Sequence, residues 1–440
     1  AHIEKLVQIG HDDNGKPILR PLAKHWLQHP LTRRYDRAEF LPGIEPENMP
    51  EGVLNLWRGW PTGLVPGWAD TRLGPDGAVP ITDGAFDGPE MPSGYCDMFL
   101  EHMLENMCGG DDEVFHYLLG WMADAFWNPG PCETAIVLKG PQGSGKTFWA
   151  ERFMEFFGVH ALTLDDPEQV VGNFNKHLMN KSVIFADEAF FAVNRKHAAK
   201  LKTLITRPDL FVEPKGVDGF VAPKMFRLIM ASNDEHVVHA ELDDRRNLVL
   251  NVDAGEHNQD REYFAKMAEE WRGGGRRALF RWLTGRWWGE QVGEGRFRMW
   301  ERPVTEGLNE QKNLSLPPAQ MVIHRMLEEG EPPCAFDANY REGTVFIPTR
   351  LLVEASRLAL QHETGLGKAL RVLAGAGAVN TRCYVGEGRD RRQYRGFWLP
   401  PLDECRRRWE AHLGRKIEWP KDVTSWAVEA RAEPDEPSYF

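Results

Sequence analysis

The chain has 440 residues, 42% hydrophobic and 27% charged, a balance that supports packed cores in two or three domains. Its net charge of −12 is unevenly spread: Arg341 to Lys416 carries 15 Lys and Arg against 8 Asp and Glu, leaving −19 on the remainder. There is no apolar run of about eighteen residues to span a membrane, no apolar secretory core after Ala1-His2-Ile3-Glu4-Lys5, and no zinc spacing among the six cysteines, which are expected to be unpaired thiols in a reducing cytoplasm.

Residues 1–90 are rich in Pro, Gly and Trp and predict only short strands and turns, as at Asn55-Leu56-Trp57-Arg58-Gly59-Trp60. From Asp97 to Trp127, apolar residues recur at three- and four-residue intervals, which predicts two helices broken at Cys108-Gly109-Gly110-Asp111-Asp112. Thr134 to Lys139 then reads as a buried strand.

Gly140-Pro141-Gln142-Gly143-Ser144-Gly145-Lys146-Thr147 follows it and matches G-x-x-x-x-G-K-[ST] at every position. Glycines let successive N–H groups face phosphate oxygens, and the helix predicted from Lys146 to Phe157 presents its positive end to the same anion. Gly140 to Phe148 is therefore the candidate ATP-binding segment. Within it, Lys146 is expected on the β- and γ-phosphates and Thr147 on magnesium.

A second buried strand, Ser182 to Ala186, runs into Asp187-Glu188, the Walker B arrangement. Asp187 is expected to hold magnesium through water, and Glu188 to orient and polarise the attacking water. A third strand, Arg227 to Ser232, ends at Asn233, a candidate partner of the γ-phosphate or lytic water, although Asn is also a routine strand terminator. Asp243-Asp244-Arg245-Arg246-Asn247 precedes a fourth strand, Leu248 to Val252. Its arginines suit either a finger acting across a subunit boundary or a plain surface ion pair.

A helix near Glu262 to Arg272 is expected to stop at Gly273-Gly274-Gly275. Three helices follow, Pro318 to Glu328, Pro348 to Gln361 and Gly365 to Ala376, and then two strands, Thr381 to Val385 and Arg392 to Leu399. Arg382, Arg389, Arg391, Arg392 and Arg395 cluster there beside Tyr384, Tyr394, Phe397 and Trp398. That mixture fits either DNA phosphate contact, with Arg391 and Arg392 as candidates, or a protein-docking wing with an aromatic core. Arg406-Arg407-Arg408 reads as a solvated helix face.

Together these motifs resemble the superfamily 3 helicases, AAA+-like P-loop ATPases. In finer detail they look like the phage and plasmid primase–helicase branch with its poxvirus relatives. Gly172-Asn173-Phe174-Asn175, Leu201-Lys202-Thr203-Leu204-Ile205-Thr206 and Glu213-Pro214-Lys215-Gly216 add to the likeness, which covers roughly residues 50 to 285. The resemblance implies an α/β AAA+-like core with a parallel sheet, hexameric rings, ATP sites shared between subunits and translocation on single-stranded DNA. It makes Phe211 to Phe226 a pore hairpin, with Asp218-Gly219 as its turn and Lys215, Phe220 and Lys224 as candidate DNA contacts. It further implies a bacterial host cytoplasm, forked DNA as substrate, and a primase, polymerase or origin-binding protein as partner.

The expected organisation is an accessory region (1–90), a helical collar (91–130), the ATPase (131–287), a linker (288–317), a winged-helix-like domain (318–420) and a loosely ordered tail (421–440). With its P-loop at Gly140, the chain is too short upstream to hold both a primase and a collar. Two other readings fit the same motifs: an ATP-gated DNA-binding loader that does not unwind, and the helicase fragment of a larger primase–polymerase.

Overall fold

The computed structural model describes residues 5–44, 46–60, 96–188, 195–293, 295–334, 343–385 and 392–427. Its centre is a five-stranded sheet made of β1 (Ala135–Lys139), β2 (Ala161–Leu164), β3 (Val183–Ala186), β4 (Arg227–Ser232) and β5 (Asn247–Asn251). The strands are all parallel, in the order β5-β1-β4-β3-β2. Continuous apolar runs suit strands covered on both faces, and alternate residues here enter two different cores. Ile136, Leu138, Phe185 and Ile229 face one side, while Val137, Ile184, Leu228 and Met230 face the other.

The first core also receives the helices that precede β1. Asp97–Glu101 leads through one wide turn to Met107, and Asp112–Trp127 is capped by the Asp111 carboxylate, which accepts from the amides of Glu113 and Val114. Leu118, Trp121 and Phe126 of that second helix pack with Trp149 and Phe153, so the expected separate collar is a layer of the sheet domain. Trp57 and Trp60, from the Pro- and Trp-rich arm, are buried in the same cluster.

Several expectations change. The edge strand β2 was not legible, because only Leu164 of its four residues is buried and no apolar run marks it. Gly273-Gly274-Gly275 does not end the helical segment. Instead Gly274, at φ 142°, kinks it, and Arg276–Trp282 continues as helix. The stretch 288–317, read as a linker, contains the helix Glu306–Leu314, whose Leu308 and Gln311 are fully buried. Gln311 accepts from the amides of Val237 and Val238 at 2.8 and 3.1 Å, which fixes that helix to the loop after β4.

Residues from Leu316 to Trp426 build a third core. It joins the helices Pro318–Glu329, Thr349–Ala355, Glu363–Ala374 and Leu402–Leu413 to a three-stranded antiparallel sheet, Val345–Pro348, Arg392–Leu399 and Thr381–Val385, with Arg392–Leu399 central. The strand Val345–Pro348 is an addition to the sequence reading, and the helix expected around Arg406-Arg407-Arg408 spans Leu402–Leu413. Arg406 is not on a solvated face: it is buried, and its guanidinium donates to the carbonyls of Leu327, Glu328 and Val423. Trp426, placed in the expected loose tail, is 5% exposed and donates to the Pro400 carbonyl.

A buried ion pair ties the helix Asp112–Trp127 to β4. Arg227 Nη2 lies 2.5 Å from Asp124 Oδ2, and the same guanidinium donates to the carbonyls of Trp121 and Asn128. Removing one partner strands a charge out of water, which costs about 3 kcal/mol or more. Asp124→Ala is expected to lower unfolding stability by that amount in urea titration. A loss of less than about 1 kcal/mol would show that the pair is not an anchor.

Candidate nucleotide-binding site

In a parallel sheet, the carboxyl ends of the strands form one rim, and ligands bind where the strand order reverses. Here β1 ends at the P-loop, β3 at Asp187 and β4 at Asn233, so three distant sequence motifs meet on one rim. The reversal falls between β1 and β4, beside Lys146.

The P-loop is packed as well as polar. Gly143 and Gly145 have φ of 81° and 96°, left-handed values that side chains disfavour. A Cβ on Gly143 would lie 2.5 Å from Gln259 Cγ, and one on Gly145 would lie 2.3 Å from His102 Nε2. Gln259 also donates its amide to the Gly143 carbonyl at 3.0 Å. Glycine is thus demanded twice, by backbone conformation and by close approach.

Lys146 opens the helix Lys146–Met154 and is 6% exposed. Its ammonium donates to the carbonyls of Gly140 and Pro141, each at 2.7 Å, and to Asn233 Oδ1 at 2.9 Å. Burial lowers its pKa, against the opposing pull of Asp187 and Glu188. Ser144 is buried, with its hydroxyl 3.5 Å from the same ammonium.

Thr147 Oγ1 donates towards Asp187 Oδ2 at 3.2 Å. A hydroxyl and a carboxylate side by side are hard oxygen donors, the type magnesium prefers, so these residues fit that ion. Glu188 has φ 52°, a strained value for a residue with a Cβ, and is exposed beside Asp187. Such strain clusters at functional positions.

These groups surround a cavity of about 730 Å³, lined by Gln142, Gly143, Gly145, Lys146, Thr147 and Phe148 together with Asp187, Glu188 and Asn233. Gln259, Arg261, Phe264 and Ala265 close the opposite wall and were not singled out from sequence. The helix Arg261–Glu270 was legible; its cap by the Asp260 carboxylate comes from the structure, and that its first turn faces the P-loop has no local sequence signal. Phe264 packs 5.5 Å from Phe148, giving the cavity an aromatic end beside the Arg261 cation.

Arg245 and Arg246 do not line this cavity. Asn247 pairs with Ala135, so the two arginines stand at the amino end of the sheet, opposite the P-loop rim. Arg245 is exposed, whereas Arg246 is half-buried in a turn whose amides are capped by the Asp244 carboxylate.

The candidate DNA contacts divide. The hairpin Asp209–Val212/Phe220–Pro223 exists, but it turns at Lys215-Gly216-Val217 rather than at Asp218-Gly219. Lys215 is exposed at that turn and Phe220 is 42% exposed. Lys224 is not available: it is 2% exposed, its ammonium caps the carbonyls of Leu204 and Ile205, and burial pulls its pKa down to about 8. Arg392 is exposed, Phe397 is core, and Arg391 lies outside the described residues.

A model of a family of unknown function (DUF5906) matches residues 138–246, from the end of β1 to the turn before β5. The A-form apo structure of the NrS-1 C-terminal region aligns with a TM-score of 0.53 at 15% identity, covering 88% of this chain and 92% of that one. The two share a fold. A second apo structure of that region (305–718) aligns at 0.48 and 16% identity, over 72% of this chain and 80% of that one. No curated protein matches the sequence. No helix among the described residues is long and apolar enough to cross a membrane.

His102, beneath Gly145, supplies a test of the packing. It is fully buried, and burial together with nearby His257 lowers its pKa from 6.5 to about 4. As pH falls through about 6.5 the unfolded chain takes up a proton that the folded chain refuses until about 4, so stability is lost across that window. At pH 4.5 the loss from this group is about 2 to 3 kcal/mol relative to pH 7. His102→Gln is expected to flatten the stability–pH curve by that amount in denaturant titrations at the two pH values. An unchanged difference would show that His102 is not held neutral.

Proposed function

We propose that this chain is the motor subunit of an ATP-driven DNA helicase acting as a hexameric ring in phage or plasmid replication. The observation that carries the reading is the meeting of Lys146, Thr147, Asp187 and Asn233 within hydrogen-bond reach on one rim of the parallel sheet. Lys146 and Thr147 follow β1, Asp187 follows β3 and Asn233 follows β4, where a nucleotide's phosphates would face them all.

In this reading, the amides from Gly140 to Phe148 cradle the triphosphate, and Lys146 leaves its own loop carbonyls for the β- and γ-phosphates. Thr147 and Asp187 hold Mg2+, which when bound neutralises charge on the phosphate oxygens. Glu188 accepts the proton of a water that attacks the γ-phosphorus, the bond to the β–γ bridging oxygen breaks, and ADP leaves. Asn233, already bonded to Lys146, reports whether the γ-phosphate is present. The remote, exposed position of Arg245 supports its service to a neighbouring subunit, with the half-buried Arg246 as its partner in a turn capped by Asp244.

Lys215 and Phe220 remain as hairpin contacts to single-stranded DNA through phosphate charge and base stacking. Arg391 and Arg392 are proposed for forked DNA, on a C-terminal unit read as winged-helix-like. Lys224 drops out of this set.

Lys146→Ala is expected to lower ATP turnover at least about 100-fold while circular dichroism is unchanged. Unchanged turnover would remove the site assignment. Arg245→Ala is expected to lose about 1,000-fold in turnover while still binding ATP. Mixing it with Lys146→Ala chains should restore part of the activity, because intact sites form at mixed boundaries; no recovery would contradict shared sites. A forked duplex should be separated only with ATP and magnesium. Hydrolysis without strand separation would favour a loader.

A further inference from the structure

A second cleft, of about 680 Å³, lies away from the P-loop. The helix Arg195–Thr206, the loop following Asn233 and the segment Lys312–Gln320 enclose it. One wall is apolar, with Ala199, Leu242, Leu316 and Pro317. Lys312, from the helix Glu306–Leu314, also lines it and is 6% exposed.

Among the described residues Lys312 has no hydrogen-bond or ion-pair partner, which is rare for a buried lysine. Its surroundings do not neutralise it. Burial and the adjacent guanidiniums of Arg415 and Arg302 lower its pKa, with Asp244 and Asp243 opposing. The Asp244 carboxylate is already engaged by the amides of Arg246 and Asn247 and by the Asn247 side chain. Arg302 keeps two guanidinium nitrogens unpaired and Arg415 one. At the rim, Glu241 is taken by Lys202 at 2.6 Å, and His236 stands 3.0 Å from the Ser315 hydroxyl.

We infer that this cleft is a second anion site that takes the terminal phosphate of a nucleotide. Lys312 would hold the phosphate at depth, Lys202 and His236 would flank it, and the apolar wall would receive the base and sugar. The size is close to that of the P-loop cavity, about 730 Å³. Because Lys312 is 6% exposed, a terminal phosphate suits the depth of the cleft better than an internal phosphodiester of a duplex. The site stands independently of hydrolysis at the P-loop. Its loop runs from Asn233 to the turn that carries Arg245, and Gln311, next to Lys312, clamps that loop through Val237 and Val238. An occupant is therefore placed to bias both Asn233 and Arg245.

Counting bound ADP per full-length chain by calorimetry tests this. The expected counts are two for the unaltered chain, one for Lys146→Ala, one for Lys312→Met and none for the double variant. Lys202→Glu, on the rim, should weaken the second site about tenfold and serves if Lys312→Met fails to fold. Inorganic pyrophosphate and a 5′-phosphorylated short oligonucleotide should compete for the site, and the same oligonucleotide without its phosphate should not. The inference is overturned if Lys146→Ala alone removes all ADP binding, if neither Lys312→Met nor Lys202→Glu changes the second site, or if the unphosphorylated oligonucleotide competes equally. Failure of the P-loop reading looks different: Lys146→Ala would then leave the count at two.

Discussion

The ammonium of Lys146 is the constraint on which the site depends. It is a nearly buried cation held by two carbonyls of its own loop and by Asn233 from the end of β4. A charge so placed must be paired or strongly hydrogen-bonded. Its bonds therefore register the P-loop against the neighbouring strand. The rest of the rim follows, since β3 lies beside β4 and brings Asp187 to Thr147. The state described is self-satisfied, with lysine occupying its own carbonyls, and a phosphate group is the kind of partner that can exchange with them.

That rim is held from below by parts of the chain far away in sequence. Trp57 and Trp60 from the arm, Trp121 and Phe126 from the helix before β1, and Phe280 after β5 all enter one aromatic core. His102 extends it to the underside of Gly145, where any side chain would collide with the imidazole. The loop's conformation is thus set by packing beneath it as well as by its own glycines. The helix Glu306–Leu314 performs a similar office on the other face, tying the loop after β4 through Gln311.

How much of this was legible follows from how local each signal is. β1, β3, β4 and β5 are continuous apolar runs, and the P-loop, Asp187-Glu188 and Asn233 sit directly at their ends, so sequence alone suffices. β2 escaped because an edge strand needs only one buried face, and Leu164 alone marks it. Lys224 and Arg406 were misplaced for a shared reason: long cations cap helix carbonyls that lie far off in sequence or across a turn, and composition cannot distinguish this from a solvated charge. Arg261 and Phe264 reach the cavity, and His102 the underside of Gly145, only through tertiary packing, which leaves no periodic trace. The helix within the expected linker was hidden because, of its buried residues Gly307, Leu308, Gln311 and Lys312, only Leu308 brings a large apolar side chain, so there is no broad apolar stripe.

The central claim is that the rim from Gly140 to Thr147 cradles a triphosphate whose far end faces Asp187, Glu188 and Asn233. A structure determined with magnesium and a non-hydrolysable ATP analogue addresses it directly. The account expects the phosphates along the P-loop amides, Lys146 moved from the Gly140 and Pro141 carbonyls onto phosphate oxygen, and the ion beside Thr147 and Asp187. An analogue bound elsewhere, with Lys146 still seated on its own carbonyls, would contradict it.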